Sequence, residues 1–210
     1  DVPFRPDWEA ALTPVVDTLV ERSDVDAAGL LAYGVSQGGY WLPRALAFEH
    51  RFVAAAADGG VWDVSLTWTD NLPAPLRTVF ESGDAETFDR LMDTGMAQAD
   101  PAVARRFAFR AKPYGHSTPF ELYTEVNRYR MADVVDRITT PLLVADPEDE
   151  AFFPGQPQQL YDALPGPKVL ARFTRADGAS HHCQPMARHA FALRMTDFLA
   201  GHLAARAGRG

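Results

Sequence analysis

The sequence predicts an α/β fold, a parallel sheet flanked by helices with a helical insertion. Three observations carry that expectation. Short, largely apolar runs at residues 28–33, 51–57, 141–146 and 168–173 alternate with stretches of helical spacing. These runs lack polar alternation, as expected of strands covered by helices on both faces. Residues 61–130 break the alternation with helical patterns only, over a length that exceeds an ordinary strand-to-strand crossover.

Taken in order, residues 1–6 read as an extended lead-in containing Pro3 and Pro6. Asp7 is a candidate N-cap, and Trp8, Leu12, Val15, Val16, Leu19 and Val20 recur at helical spacing to about Arg22. Pro14 is expected to bend or disturb that helix. Residues 28–33 are the first strand, and a helix follows from Gly38 to about Glu49. Residues 51–57 are a second strand despite their alanines, which are poor strand formers in isolation. The insertion divides into helices at about 72–81, 84–98, 101–109 and 119–130. Residues 141–146 and 168–173 are the third and fourth strands. A last helix at about 186–204 is expected to bury Met186, Ala190, Leu193, Phe198 and Leu199. Residues 1–60 and 131–210 thus form the core, and 61–130 form an insertion or lid.

Composition excludes several function classes. A chain of 210 residues, 47% apolar, can bury one sizeable core. The formal charge of -8 and the lack of interleaved basic and aromatic residues argue against nucleic acid as a partner. Cys183 is the only cysteine, so neither an intrachain disulfide nor a cysteine-rich metal site is expected. No apolar run approaches transmembrane length, so no membrane partner and a cytoplasmic location are expected. The sequence begins Asp1-Val2-Pro3-Phe4 without an initiator methionine, which reads as the interior of a longer protein.

Chemistry concentrates at the ends of the predicted strands. Gly34-Val35-Ser36-Gln37-Gly38 joins the first strand to a helix, the context in which G-x-S-x-G forms a nucleophile elbow. Side chains at Gly34 or Gly38 are expected to collide across that sharp turn. Ser36 is the candidate nucleophile, and the Gln37 N–H, at the start of the helix, is the candidate oxyanion donor. A serine hydroxyl needs a neighbouring base, and the imidazole needs a carboxylate to fix its tautomer. Ser36, Asp149 and His182 arrive in the order nucleophile, acid, histidine. Asp146, Glu148 and Glu150 are local rivals for the acid, and His181 for the base. Candidate substrate contacts are Tyr40, Asp58, Trp62, Tyr114, His116 and Phe152. A metal site at His181, His182 and nearby carboxylates lacks regular ligand spacing, so no metal and no cofactor are expected.

These motifs resemble the α/β-hydrolase superfamily: the elbow, Pro141-Leu142-Leu143-Val144-Ala145-Asp146-Pro147-Glu148-Asp149, and Gly178-Ala179-Ser180-His181-His182-Cys183. Arg5-Pro6-Asp7-Trp8-Glu9, Gly38-Gly39-Tyr40 with Pro43-Arg44-Ala45, and His182-Cys183-Gln184 look like the pseudooxynicotine-hydrolase and FrsA-like esterase branch. The resemblance favours Asp149 and His182 over their rivals. It implies a serine hydrolase acting through an acyl-serine on an ester, amide or activated carbon–carbon bond of a small hydrophobic substrate. An acyltransferase or cyclase on the same fold and a non-catalytic binding protein are the alternatives. The family core has about eight strands, so the four seen here correspond to its last four. The missing strands and the second oxyanion donor are then expected from an N-terminal part of the same enzyme, as a separate or cleaved chain or a stretch outside this sequence. A homo-oligomer is also open.

Overall fold

The computed structural model describes residues 3–208, so the predicted lead-in starts outside the described residues, at Asp1 and Val2. The chain divides into two compact units. One comprises Asp7–Asp63 and Arg130–Gly210; the other comprises the segment up to Pro6 with Val64–Tyr129.

The first unit contains α1 (Glu9–Val20), β1 (Leu31–Val35), α2 (Gly38–Leu46) and β2 (Ala54–Asp58). Its second segment contains β3 (Leu142–Pro147), α8 (Gln156–Ala163), β4 (Lys168–Phe173) and α9 (Arg188–Ala207). The strands pair in the order β1-β2-β3-β4, all parallel. Parallel pairing puts every strand's C-terminal end on one edge of the sheet, where ligand sites of open α/β sheets form.

Alternation along each strand decides which helix it meets. Tyr33 packs its ring, tilted, against Phe191 of α9, whereas Gly34 faces Leu42 of α2. Ala56, Leu143, Ala145, Ala171 and Phe173 are buried in one cluster with Phe191. Val144 points the other way, toward Pro157 and Leu160 of α8. Burying Phe173 and Phe191 contributes roughly 1.5–3 kcal/mol each. The alanines of β2 are fully buried because small side chains let helices close in on both faces. A Cβ on Gly39 would lie 2.0 Å from the Gly59 carbonyl oxygen, so α2 packs backbone to backbone against the end of β2.

β1 differs from the expectation of a strand buried on both faces. Among the described residues it pairs only with β2, and Tyr33 and Val35 remain 39% and 43% exposed. A groove of about 320 Å³ runs beside it, lined by Trp8, Leu12, Val15, Leu31, Tyr33 and Trp41. Helix α1 has Trp8 rather than Asp7 as its N-cap, without a side-chain cap bond, the Asp7 carbonyl accepts from the Ala10 N–H, and the helix continues through Pro14. Helix α9 buries Phe191 and Leu199, while Met186, which precedes it, and Leu193 are exposed.

The second unit is helical: α3 (Leu66–Thr69), α4 (Ala74–Glu81), α5 (Ala85–Gln98), α6 (Pro101–Ala111) and α7 (Pro119–Val126). Local sequence sets its boundaries. Asp84 and Asp100 accept from the first-turn N–H groups of α5 and α6, and Thr118 with Glu121 forms a capping box on α7. Its core is aromatic, with Trp68 edge-on to Tyr114 and Tyr123, and Tyr123 edge-on to Phe88. Such pairs add roughly 0.5–1.5 kcal/mol each beyond area burial. Among the described residues, no helix is long and apolar enough to cross a membrane.

The elbow glycines have unequal roles. A Cβ on Gly34 would lie 2.2 Å from the Gly38 carbonyl oxygen, whereas a Cβ on Gly38 meets nothing within 4 Å. The expected collision therefore holds for Gly34 and not for Gly38, because Gly38 already has helical geometry and its Cβ direction leads into open space. Gly34→Ala should destabilise the fold by about 3 kcal/mol, and Gly38→Ala by less than about 1 kcal/mol, in chemical denaturation.

Candidate active site

Where β1 turns into α2, Ser36 adopts a left-handed backbone with φ 55°. That conformation costs a non-glycine residue about 1–3 kcal/mol and persists only when its surroundings enforce it. The Ser36 N–H donates to the Asp58 carbonyl at 2.9 Å, and the Gly39 N–H donates to the Ser36 carbonyl at 2.7 Å. The turn lifts the hydroxyl above the sheet edge and leaves Gln37 as the N-cap of α2.

The loop after β4 brings His182 to the same edge. Its Nε2 lies 2.9 Å from Ser36 Oγ, and its Nδ1 lies 2.7 Å from Glu150 Oε2. A carboxylate only accepts, so Nδ1 carries a proton, and once the ring is neutral Nε2 accepts from the serine hydroxyl. The other Glu150 oxygen accepts from the Phe152 and Phe153 N–H groups at 2.9 and 3.2 Å. One oxygen thus fixes the carboxylate to its loop and the other orients the imidazole. Gly59, with φ 82°, lets the ring approach: a Cβ there would meet His182 Cε1 at 3.2 Å.

The pair tunes both pKa values. Burial works against the Glu150 carboxylate, but the hydrogen bonds from His182 and from the Phe152 and Phe153 N–H groups outweigh it and hold the group below its usual value. Burial also disfavours the imidazolium. Hydrogen bonding to Cys183 and Glu150, with the Glu150 charge, overcomes this and pushes His182 up to about 10.

The acid therefore differs from the expected residue. Asp149 turns away from His182 and accepts from Arg175 Nε at 3.0 Å. Its carboxyl is held low by a hydrogen bond from the Ser180 side chain and by Arg175. Glu148 accepts from the same guanidinium at 2.8 Å. Arg175 gathers two of three consecutive acids outward, and the third, Glu150, turns inward. Asp146 is ion-paired to Arg172. His181 is exposed, and its strand-like bridge to Asp149 is a backbone one.

The expected substrate contacts have different local surroundings. Phe152 is 60% exposed, with its ring centroid 4.8 Å from that of His182. Tyr40 is fully buried in α2, and burial pushes its phenol up. Asp58 is fully buried and ion-paired with Arg188. Trp62 is half-buried, its backbone N–H donating to Gln156 Oε1 at 2.8 Å. Tyr114 lies in the aromatic core of the helical unit, and His116 is exposed in that unit. Sequence reasoning ranked Glu150 below Asp149 as the acid, and missed Phe153 as the second ring beside His182 and Arg188 as the partner of Asp58. For Glu150, the apolar Phe152-Phe153 that follows it was the available signal of an inward turn. Among the described residues, no group of three or more His, Cys, Asp or Glu side chains is placed to hold a metal ion.

Parallel sheet, elbow and Ser–His–Glu arrangement together give this chain the α/β-hydrolase fold with the geometry of a serine-hydrolase catalytic triad. Residues 11–102, less than half of the chain, match the prolyl oligopeptidase family. The chain is 33% identical over 117 residues to the α/β hydrolase psoB of Aspergillus fumigatus, covering 53% of this chain and 24% of that protein. It is 24% identical over 170 residues to the hydrolase LUC6 of a Fusarium species, covering 77% of this chain and 40% of that protein. The crystal structure of 2,6-dihydroxy-pseudo-oxynicotine hydrolase superposes with a TM-score of 0.66 at 19% identity, over 97% of this chain and 48% of that one. The chain therefore spans less than half the length of these relatives.

Removing the Glu150 charge should lower the His182 pKa. In an NMR titration, Glu150→Gln moves the His182 transition down toward the ordinary value of about 6.5, while Asp149→Asn leaves it nearly in place.

Proposed function

We propose that this chain acts as a serine hydrolase on an ester, amide or activated carbon–carbon bond of a small hydrophobic substrate. The observation that carries this reading is the continuous contact from Ser36 Oγ through His182 to the buried Glu150. His182 Nε2 takes the hydroxyl proton as Ser36 Oγ attacks the carbonyl carbon, and Glu150 stabilises the imidazolium that forms. The oxyanion develops beside the N-terminus of α2, where the Gln37 N–H donates to it. His182 then protonates the leaving group, and water activated by the same imidazole releases the acyl group from Ser36. The exposed Phe152 ring beside His182 favours an apolar substituent near the scissile bond. The likeness to 2,6-dihydroxy-pseudo-oxynicotine hydrolase across nearly the whole chain supports the narrower placement with that branch and FrsA-like esterases.

The reading includes a partner for β1. Its unpaired edge among the described residues and the apolar groove beside it suit a further strand from additional polypeptide of the same enzyme, which also supplies the second oxyanion donor. Native mass spectrometry of the enzyme from its source would overturn this part by giving a single polypeptide of 210 residues.

A fluorophosphonate should label the enzyme at Ser36, and Ser36→Ala should abolish labelling. Glu150→Gln should slow it roughly a thousandfold or more, whereas Asp149→Asn should stay within about fivefold of the parent rate. A folded protein that is never labelled would contradict the hydrolase reading. The labelling rate should rise with pH as His182 loses its proton, with that rise lying above the ordinary imidazole range.

A further inference from the structure

Immediately after His182 the backbone makes an unusual turn. Cys183 and Gln184 are consecutive non-glycine residues in the left-handed region, with φ 55° and 44°. Two such residues in a row need external enforcement. Part of it is local, since the Gln184 N–H donates to the His181 carbonyl at 2.8 Å and the Ala187 N–H to the Gln184 carbonyl at 3.0 Å. The rest comes from Arg188, the first residue of α9. Its Nη1 donates to the Cys183 carbonyl at 2.7 Å and lies 3.4 Å from Gln184 Oε1.

Arg188 is itself anchored to the strands that carry the nucleophile. Nη1 also reaches the Asp58 carboxylate at the end of β2, and Nη2 reaches the Tyr33 hydroxyl on β1. Tyr33 approaches the same carboxylate oxygen at 3.4 Å. The other carboxylate oxygen, Asp58 Oδ1, is buried without a hydrogen-bond partner among the described residues, so Arg188 is the ion-pair partner of a fully buried charge. The Asp58 carbonyl closes the circuit. It accepts from the Ser36 N–H at 2.9 Å and lies 3.6 Å from Cys183 Sγ. Asp58 therefore holds the nucleophile's backbone through its carbonyl and the histidine loop through its carboxylate and Arg188.

We propose that Arg188, fixed by Asp58 and Tyr33, is a positioning residue that sets the distance between His182 and Ser36 by enforcing the Cys183–Gln184 turn. It touches none of the reacting atoms. Its loss lets the turn relax toward ordinary backbone geometry and carries the imidazole out of line with the serine hydroxyl. Misplacement of a catalytic group by about 1 Å can cost a hundredfold in rate.

The inference rests on Ser36 being the nucleophile, so the test separates the two. Labelling of the parent enzyme by a fluorophosphonate reports on the nucleophile alone. Arg188→Ala should then slow labelling by about tenfold to a hundredfold, with partial recovery on adding guanidinium below denaturing concentration. It should also broaden the low-field Nδ1–H proton resonance of His182, which needs no reaction at serine. Because Arg188→Ala strands a buried carboxylate, the double variant Asp58→Asn with Arg188→Met supplies a charge-neutral comparison, with melting followed in parallel. Should both melt below the assay temperature, Arg188→Lys decides by the same rate, since an ammonium cannot serve Cys183, Asp58 and Tyr33 in one fork. A folded double variant with parent labelling rate and an unchanged His182 resonance would overturn the proposal. Loss of labelling without rescue and with a sharp His182 resonance would also overturn it.

Discussion

Ser36 keeps a left-handed backbone at the junction of β1 and α2, and much of the surrounding structure serves to hold it there. Gly34 leaves no room for a Cβ against the Gly38 carbonyl, nor Gly39 against the Gly59 carbonyl, and the Asp58 carbonyl accepts the Ser36 N–H. The two glycine contacts are ones that a side chain would break. The alanines of β2 follow from the same constraint, because bulkier residues would push α2 and α9 away from the strand that supports the turn. Strain at the nucleophile is thus offset by close packing beneath it.

Parallel topology explains how residues more than a hundred apart in sequence meet. Ser36, Asp58, Glu150 and His182 follow or end β1, β2, β3 and β4 in turn, at one edge of the sheet. Charge is then sorted by arginines. Arg175 draws Glu148 and Asp149 outward, Arg172 pairs with Asp146, and Arg188 pairs with Asp58. Glu150 alone is left to His182. The carboxylate's second oxygen is held by two backbone N–H groups; burial opposes its charge, but the His182 hydrogen bond together with these N–H groups keeps it ionised.

Much of this was legible in the sequence. The four strands, the elbow, the nucleophile and the histidine rest on local signals: apolar runs, glycine spacing and loop position. The helical insertion carried its own cap residues, Asp84, Asp100 and Thr118. The acid was misread because three adjacent carboxylates differ only in which way the loop turns them. That direction is set by Arg175, which lies beyond the next helix and strand and gives no local signal. Likewise, Tyr40 and Tyr114 read as pocket residues because an aromatic ring with a hydroxyl suits both a pocket and a core. The exposure of Tyr33 and Val35 on β1 depends on what pairs with that strand, which a run of apolar residues does not encode.

The most direct test of the account is a crystal structure of the enzyme after reaction with a fluorophosphonate. The account predicts phosphorus bonded to Ser36 Oγ, the phosphoryl oxygen accepting from the Gln37 N–H, and His182 Nδ1 still on Glu150 with Asp149 on Arg175. An adduct elsewhere, or a His182 ring oriented by Asp149, would contradict it.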